Sequence, residues 1–460
     1  MEFINLTRDI EIGANCYALK AGGKTILLDS GMHPEHEGEE SLPNFSLVES
    51  ESADAIVLSH AHHDHLGTLP LLMRRHPRAP VFMSEATSKL ADVMLHNSVN
   101  VMSRQREELG RTDLPLFTHR EVEQAVSRWI TRPLHQRFTV EGERVGQNEN
   151  DSDETTLEFF DAGHVLGAVG TLIRAEGRTI FYSGDVNFED QTISRAARFP
   201  NEHIDVLIIE TTRGDSATSE NYTRQKETER LADAINDAFA RNGAVLMPLF
   251  ALGKTQEMLG LFHELMRRGQ IPTVPIYISG LGAKLTEIYD RLAHTAPRLK
   301  HELQFMRDVA PFVLAGPDAI DAPLKSRRIY ALSSGMMTEK TLSNFFAQRI
   351  LKNPRHALIF VGYADPHSPA GRLRQANPGD EVTLDPNFEP QPLHCKIEQF
   401  QFSGHASRES IRGYINNVRP SKVVLVHGDS PAISWFKHTL SADLPKSEII
   451  TPTPGQPIEL

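Results

Sequence analysis

Cysteine is almost missing: the 460-residue chain has two, Cys16 and Cys395. They lie far apart and form no Cys-x-x-Cys pair, which excludes a disulfide scaffold and a cysteine-based zinc finger. A reducing, cytoplasmic compartment is the expectation. No apolar run approaches the ~18 residues of a membrane span, so no membrane partner is expected. Residues 1–9 lack the apolar stretch of a signal peptide. Net positive charge is absent as well: 48 Lys and Arg against 60 Asp and Glu give −12. That counts against non-specific duplex binding and leaves room for a local basic groove. No internal repeat occurs, and the one biased tract is an acidic stretch at 142–154, read as an exposed loop.

What is present is a globular composition, 40% hydrophobic and 23% charged, which excludes a disordered chain. At about 150 residues per domain the length suggests about three domain-sized units, or two with one enlarged. Apolar runs at 15–19, 25–28, 55–59, 157–160, 171–173, 179–183 and 205–209 read as strands, several separated by Gly-containing turns. A helix is expected from about Thr68, with Pro70 tolerated in its first turn, and 84–132 reads as helical. From about 213 the rhythm changes. Runs at 244–250, 274–279, 329–333 and 357–361 alternate with helical patterns, which implies parallel βαβ units. After about 372 the strands 381–384, 396–402 and 422–427 restore a β pattern. An α/β unit inserted into another domain's chain accounts for this order.

The sharpest chemical signal is Ser59-His60-Ala61-His62-His63-Asp64-His65-Leu66-Gly67. Four imidazoles and a carboxylate within six residues at a strand end suit a divalent metal that takes nitrogen and oxygen ligands. His60 and His62 project the same way in extended chain, and Asp64 and His65 follow where the chain turns, facing a second ion. Further candidates sit in turns after strands: His164 in Asp161-Ala162-Gly163-His164, Asp185 in Tyr182-Ser183-Gly184-Asp185, and His427 in Leu425-Val426-His427-Gly428. Each alone is more often a turn residue; together with the cluster they supply the ligands of a two-metal site.

The histidine stretch with Asp29, His164 and Asp185 resembles the metallo-β-lactamase superfamily. Glu210 in Leu207-Ile208-Ile209-Glu210-Thr211-Thr212, His405 in Phe402-Ser403-Gly404-His405-Ala406, and His427 resemble the three signatures of its β-CASP branch. That branch holds RNA-processing ribonucleases of the cleavage-and-polyadenylation type and their bacterial and archaeal relatives. Phe250-Ala251-Leu252-Gly253-Lys254, Ser333-Ser334-Gly335 and Gly362-Tyr363 stand where the branch carries its insert motifs. The resemblance implies an α/β fold: an αββα sandwich over 1–212 and 373–460, with a parallel α/β β-CASP domain inserted at 213–372. It implies two Zn2+ per chain, one on His60, His62 and His164, the other on Asp64, His65 and His427, with Asp185 bridging. Asp29 would orient a ligand histidine; His63 is not assigned as a ligand.

The implied catalytic residues are Asp64, Glu210 and His405. The ions would lower the pKa of a shared water toward ~7 for in-line attack on phosphorus, His405 would protonate the leaving 3′-oxygen, and Glu210 would hold its imidazolium. Lys254, Ser333 and Ser334 are the substrate-binding candidates, because backbone N–H groups and a lysine at a helix start suit phosphate; Arg372 is a further cation for the cleft.

The implied substrate is single-stranded RNA, because RNA-cutting members carry a histidine at the position of His427 where DNA-cutting members differ. An endonuclease is expected ahead of a 5′-exonuclease, and a homodimer is carried as one assembly. Two alternatives stay open: another superfamily hydrolase acting on a small ester or thioester, and a non-catalytic scaffold subunit of an RNA-processing complex. The segment Ala364-Asp365-Pro366-His367-Ser368-Pro369-Ala370-Gly371-Arg372 departs from the branch's usual Glu-Gly-Thr continuation, and Arg213 replaces the commoner tyrosine. No ribonuclease J-type C-terminal domain and no N-terminal KH module is expected.

Overall fold

The computed structural model describes residues 1–36, 38–49, 52–146, 154–219 and 221–460. Most of the acidic tract, 147–153, lies outside the described residues. Two compact units result: residues 1–190, 196–218 and 405–460 form the first, and 191–195 with 219–404 the second.

In the first unit two seven-stranded sheets face each other. One runs, in spatial order, Pro457–Glu459, Glu2–Asn5, Tyr17–Ala21, Lys24–Leu28, Ala55–Val57, Val81–Met83, Trp129–Thr131. The other runs Glu448–Ile450, Lys422–Val426, Val206–Glu210, Arg178–Tyr182, Val169–Ala175, Thr156–Asp161, Phe138–Thr139. Strand alternation decides who fills the space between them. Leu19, Ile26, Leu28 and Val57 meet Leu157, Ile173, Ile180, Ile208 and Val424 in one buried core. The intervening Leu207, Ile209, Val423 and Leu425 point the other way, against Ile411, Ile415, Phe436 and Leu440 of the helices Arg408–Val418 and Ser430–Asp443. With both faces covered, these strands read as continuous apolar runs rather than alternating ones. The layering is the expected αββα.

The second unit carries a six-stranded sheet ordered Phe312–Leu314, Ile276–Ser279, Ile329–Leu332, Val245–Pro248, Ala357–Phe360, Lys396–Gln399, with every pairing parallel. The units differ from the expected domain limits at three places, one being that residues 213–218 stay with the first unit. The strand Lys396–Gln399 pairs in parallel with Ala357–Phe360, so the inserted unit reaches Gly404 rather than ending at 372. Residues 191–195 also belong to it, because the buried Glu257 carboxylate accepts the backbone N–H of Thr192 (2.6 Å), Ile193 (3.0 Å) and Ser194 (2.7 Å). The helical reading of 84–132 holds for Glu85–Leu109 and His119–Val126, and fails at Trp129–Thr131, which pairs with Val81–Met83 as an edge strand. No helix among the described residues is long and apolar enough to cross a membrane.

Candidate metal centre

Strand direction gathers the polar residues. Tyr182 pairs in parallel register with Ile208, and Glu210 with Val426. Asp185, Glu210 and His427 therefore leave three neighbouring strands at the same end. Thr156–Asp161 is antiparallel to Val169–Ala175, which is antiparallel to Arg178–Tyr182, so His164 emerges at that end too. On the facing sheet Leu28 pairs in parallel with Val57, which places Asp29 beside the turn carrying His60. Carboxyl ends of parallel strands are where such sheets assemble polar sites.

The side chains converge in two groups. His62 Nδ1 lies 3.1 Å from His60 Nε2 and 3.0 Å from His164 Nε2. Asp185 Oδ2 lies 3.5 Å from both His60 Nε2 and His164 Nε2. In the second group His65 Nε2 and His427 Nε2 are 3.3 Å apart, and Asp64 Oδ2 is 3.3 Å from His427 Nε2 and 3.7 Å from His65 Nε2. Asp185 Oδ1 reaches this group, 3.3 Å from His65 Nε2 and 3.3 Å from His427 Nδ1. Asp185 Oδ1 is buried without a hydrogen-bond partner.

These distances test whether a cation fits. A tetrahedral ion with ligand atoms about 2.0–2.1 Å away spaces them about 3.3–3.4 Å apart. The observed contacts bracket that value. Hydrogen bonding alone does not explain them: one proton can bridge one nitrogen pair, and His62 Nδ1 faces two. The bonds of the outer ring nitrogens also aim the inner ones inward. Ser59 Oγ donates to Asp29 Oδ2 (2.7 Å), so at 3.0 Å it accepts from His60 Nδ1, leaving His60 Nε2 as an acceptor. His65 Nδ1 donates to Asp29 Oδ2 (2.7 Å), which turns His65 Nε2 inward, free to ligate once its proton is lost to an incoming cation. Asp29 is fully buried and also accepts from Ser59 N (2.6 Å) and Tyr182 OH (2.6 Å). The donor set suits a divalent metal.

Protonation follows the surroundings. Burial holds the His60 imidazole well below, and His62 below, the usual histidine range, so both are neutral and competent to ligate at neutral pH. Burial pushes His65 the same way, but Asp185, Asp64 and Asp29 outweigh it and hold the group well above that range. Burial raises the Asp185 carboxyl, yet His427, His65 and His405 overcome it and keep it well below.

Beside this cluster, His405 Nδ1 lies 3.1 and 3.2 Å from the two Glu210 oxygens and 3.9 Å from Asp185 Oδ2. Glu210 is itself fixed by the N–H groups of Val186 (2.8 Å) and Thr212 (3.3 Å). Burial lowers the His405 pKa, but Glu210 and Asp185 more than offset that and hold it at about 9. His63 points elsewhere, its Nδ1 3.4 Å from Ser98 Oγ.

The sequence reading assigned no role to Ser59, Tyr182, Asn15 or Thr212. Asn15 Nδ2 donates to the Asp64 carbonyl (3.2 Å), and Thr212 Oγ1 is 2.8 Å from His427 Nδ1. Ser59 and Tyr182 adjoin the histidine stretch and the Asp185 turn, which was the available signal; Asn15 and Thr212 carry none. In the second unit Lys254 opens the helix Lys254–Arg267 and its Nζ donates to the Phe402 carbonyl. Ser333 Oγ bonds Ser279 Oγ, and Ser334 Oγ accepts from Thr338 N (3.1 Å). Arg372 donates to the carbonyls of His367 (2.6 Å) and Thr383 (3.1 Å).

Family models match in three places: the metallo-beta-lactamase superfamily over residues 10–234, the Beta-Casp domain over 255–373, and the Zn-dependent metallo-hydrolase RNA specificity domain over 390–452. The chain belongs to the β-CASP branch of the metallo-β-lactamase superfamily. Among curated relatives of this branch, Endoribonuclease ysh1 of Schizosaccharomyces pombe is 28% identical over 96% of this chain and 56% of its own length. Cleavage and polyadenylation specificity factor subunit 3-I of Arabidopsis thaliana is 28% identical over 98% of this chain and 62% of its own length. The chain thus spans about three-fifths of the curated relatives it matches. A crystal structure of a protein of unknown function from Enterococcus faecalis V583 shares the β-CASP chain's fold, with a TM-score of 0.56, 14% identity, and coverage of 100% of this chain and 99% of that one.

Proposed function

We propose that this chain is a metal-dependent ribonuclease that hydrolyses phosphodiester bonds of single-stranded RNA, most readily as an endonuclease in RNA processing or decay. The observation that carries the reading is the pair of facing ligand groups with Asp185 presenting one oxygen to each. His60, His62 and His164 would hold one Zn2+, and Asp64, His65 and His427 the other, with Asp185 shared. Bound there, such ions supply a nucleophilic water at neutral pH and neutralise charge on the phosphoryl oxygens.

The chain's own residues do the rest. Asp29 and Ser59 fix the rings of His65 and His60 so that each turns its Nε2 toward the metal positions. His405 holds a proton for the departing 3′-oxygen, and Glu210 keeps the ring charged and aimed through Nδ1, leaving Nε2–H to donate. The names of the relatives and the matched RNA specificity domain support RNA as substrate. Two buried free cysteines suit the cytoplasmic setting of the proposal.

The test is metal analysis of the purified full chain together with cleavage of an unstructured RNA labelled at either end. About two zinc ions and internal cuts are expected. Active protein free of transition metal would overturn the reading, and hydrolysis confined to small esters would leave only the family.

A further inference from the structure

The inserted unit presents a second chemical surface, made where four parallel strands end. Pro248 pairs with Leu332, Leu246 with Leu358, and Ile278 with Ala331. The segments that follow, starting at Leu249, Gly280, Ser333 and Val361, therefore leave one edge of the sheet side by side. Two large aromatic side chains stand there in solvent, Phe250 at 40% exposure and Tyr363 at 54%. An aromatic ring is worth burying, and exposed rings gathered at one edge mark a contact site rather than scattered surface. The structure keeps room for them. A Cβ on Gly335 would come within 3.1 Å of Phe250 Cδ2, so the glycine lets the ring lie against the Ser333–Ser334 turn. Arg374 Nη1 donates to the Gly362 carbonyl (3.0 Å) and fixes the residue before Tyr363. A cation adjoins both rings' segments: a Cβ on Gly362 would be 3.9 Å from Lys254 Cε. The half-buried Lys254 and Ser334 add a positive charge and a polar group to the same edge.

We propose that this edge is a base-stacking platform for single-stranded nucleic acid, with Phe250 and Tyr363 each stacking a nucleobase and Lys254 offsetting backbone charge. Rings beside a cation suit a strand with splayed bases, because every base has a π-face and the backbone is anionic. A duplex hides those faces. The inference deepens the ribonuclease reading and rests on it.

The experiment uses the full chain, stripped of metal by chelator so that nothing is cut, and follows anisotropy of a short fluorescein-labelled single strand. A strand of the same length with abasic sites is the second arm. Phe250→Ala and Tyr363→Ala are each expected to weaken binding of the natural strand roughly 5- to 150-fold, the range given by loss of one stacked base. Binding of the abasic strand should not change, and Phe250→Trp and Tyr363→Phe should bind like the parent. Equal binding of natural and abasic strands by the parent overturns the platform. So does equal weakening of both strands by the alanine variants, which would mean that the rings contact backbone or serve a protein partner. Hydrolysis of bis(p-nitrophenyl) phosphate and of RNA by the metal-loaded parent is read separately. Base-dependent binding without RNA cleavage would sink the ribonuclease reading alone, and RNA cleavage without base-dependent binding would sink the platform alone.

Discussion

Replacing Asp29 with asparagine isolates the role of one carboxylate. Its Oδ2 accepts from Ser59 Oγ, His65 Nδ1 and Tyr182 OH at 2.6–2.7 Å, and its Oδ1 accepts from Ser59 N at 2.6 Å. Asparagine is nearly isosteric and tolerates the left-handed backbone at this position (φ 59°), so no new strain is introduced. It offers one oxygen and one NH2. With the oxygen kept toward the three donors, the NH2 confronts the buried Ser59 N–H, and one unsatisfied donor costs about 1–3 kcal/mol. The contact to His65 also loses its charge assistance, about another 1 kcal/mol. The fold should therefore be weakened by about 2–4 kcal/mol in the first unit. Loss of a carboxylate that orients a ligand histidine typically weakens metal binding ~10–100-fold.

Because the chain has two units, a single unfolding temperature is not a clean readout. Metal content after dialysis against graded chelator is the better assay, with far-UV circular dichroism showing that the variant is folded. Tyr182→Phe removes one donor and leaves the charge, so it should bind metal nearly as the parent does. A folded Asp29→Asn protein that holds metal with parental affinity would refute the assignment of Asp29.

His405→Ala should lower the hydrolysis rate ~10²–10⁴-fold with metal content unchanged; loss of one ion would show that His405 is a ligand. Glu210 is the foremost group raising the His405 pKa, so Glu210→Gln should move the alkaline limb of the rate profile to lower pH, and an unmoved limb would remove Glu210 from that role. Since the metal-free protein holds His65 protonated through neutral pH, metal uptake should release a proton and weaken as pH falls; calorimetry in buffers of different ionisation enthalpy reads this directly, and proton-neutral binding would contradict it. Single-stranded RNA should be cut much faster than DNA of matching sequence, with equal rates under one metal and salt condition overturning RNA as the substrate. The salt slope should be shallow, with two to four phosphate contacts at ~0.7 each.

Local density decides what a sequence shows. His60, His62, Asp64 and His65 are legible because one turn carries them all, and short continuous apolar runs locate the strands that deliver them. Edge strands are less legible. Pro457–Glu459 is short and pairs only with Glu2–Asn5, at the other end of the chain. Lys396-Ile397-Glu398-Gln399 carries one apolar residue, so nothing local says that it joins the sheet of Ala357–Phe360 rather than the C-terminal β layer.

By itself, then, the sequence determined the chemistry available: a histidine-rich turn, acids and histidines after apolar runs, and an α/β rhythm interrupting a β-rich chain. The tertiary structure alone decided which of those residues meet. Asp185, Glu210 and His427 share one strand end because the register of Arg178–Tyr182, Val206–Glu210 and Lys422–Val426 aligns them. Asn15, Tyr182 and Thr212 become parts of the site only by that closure. The reason is physical. A ligand's identity is local, but a distance of 3.3–3.5 Å between atoms of residues far apart in the chain is set by hydrogen-bond register and core packing.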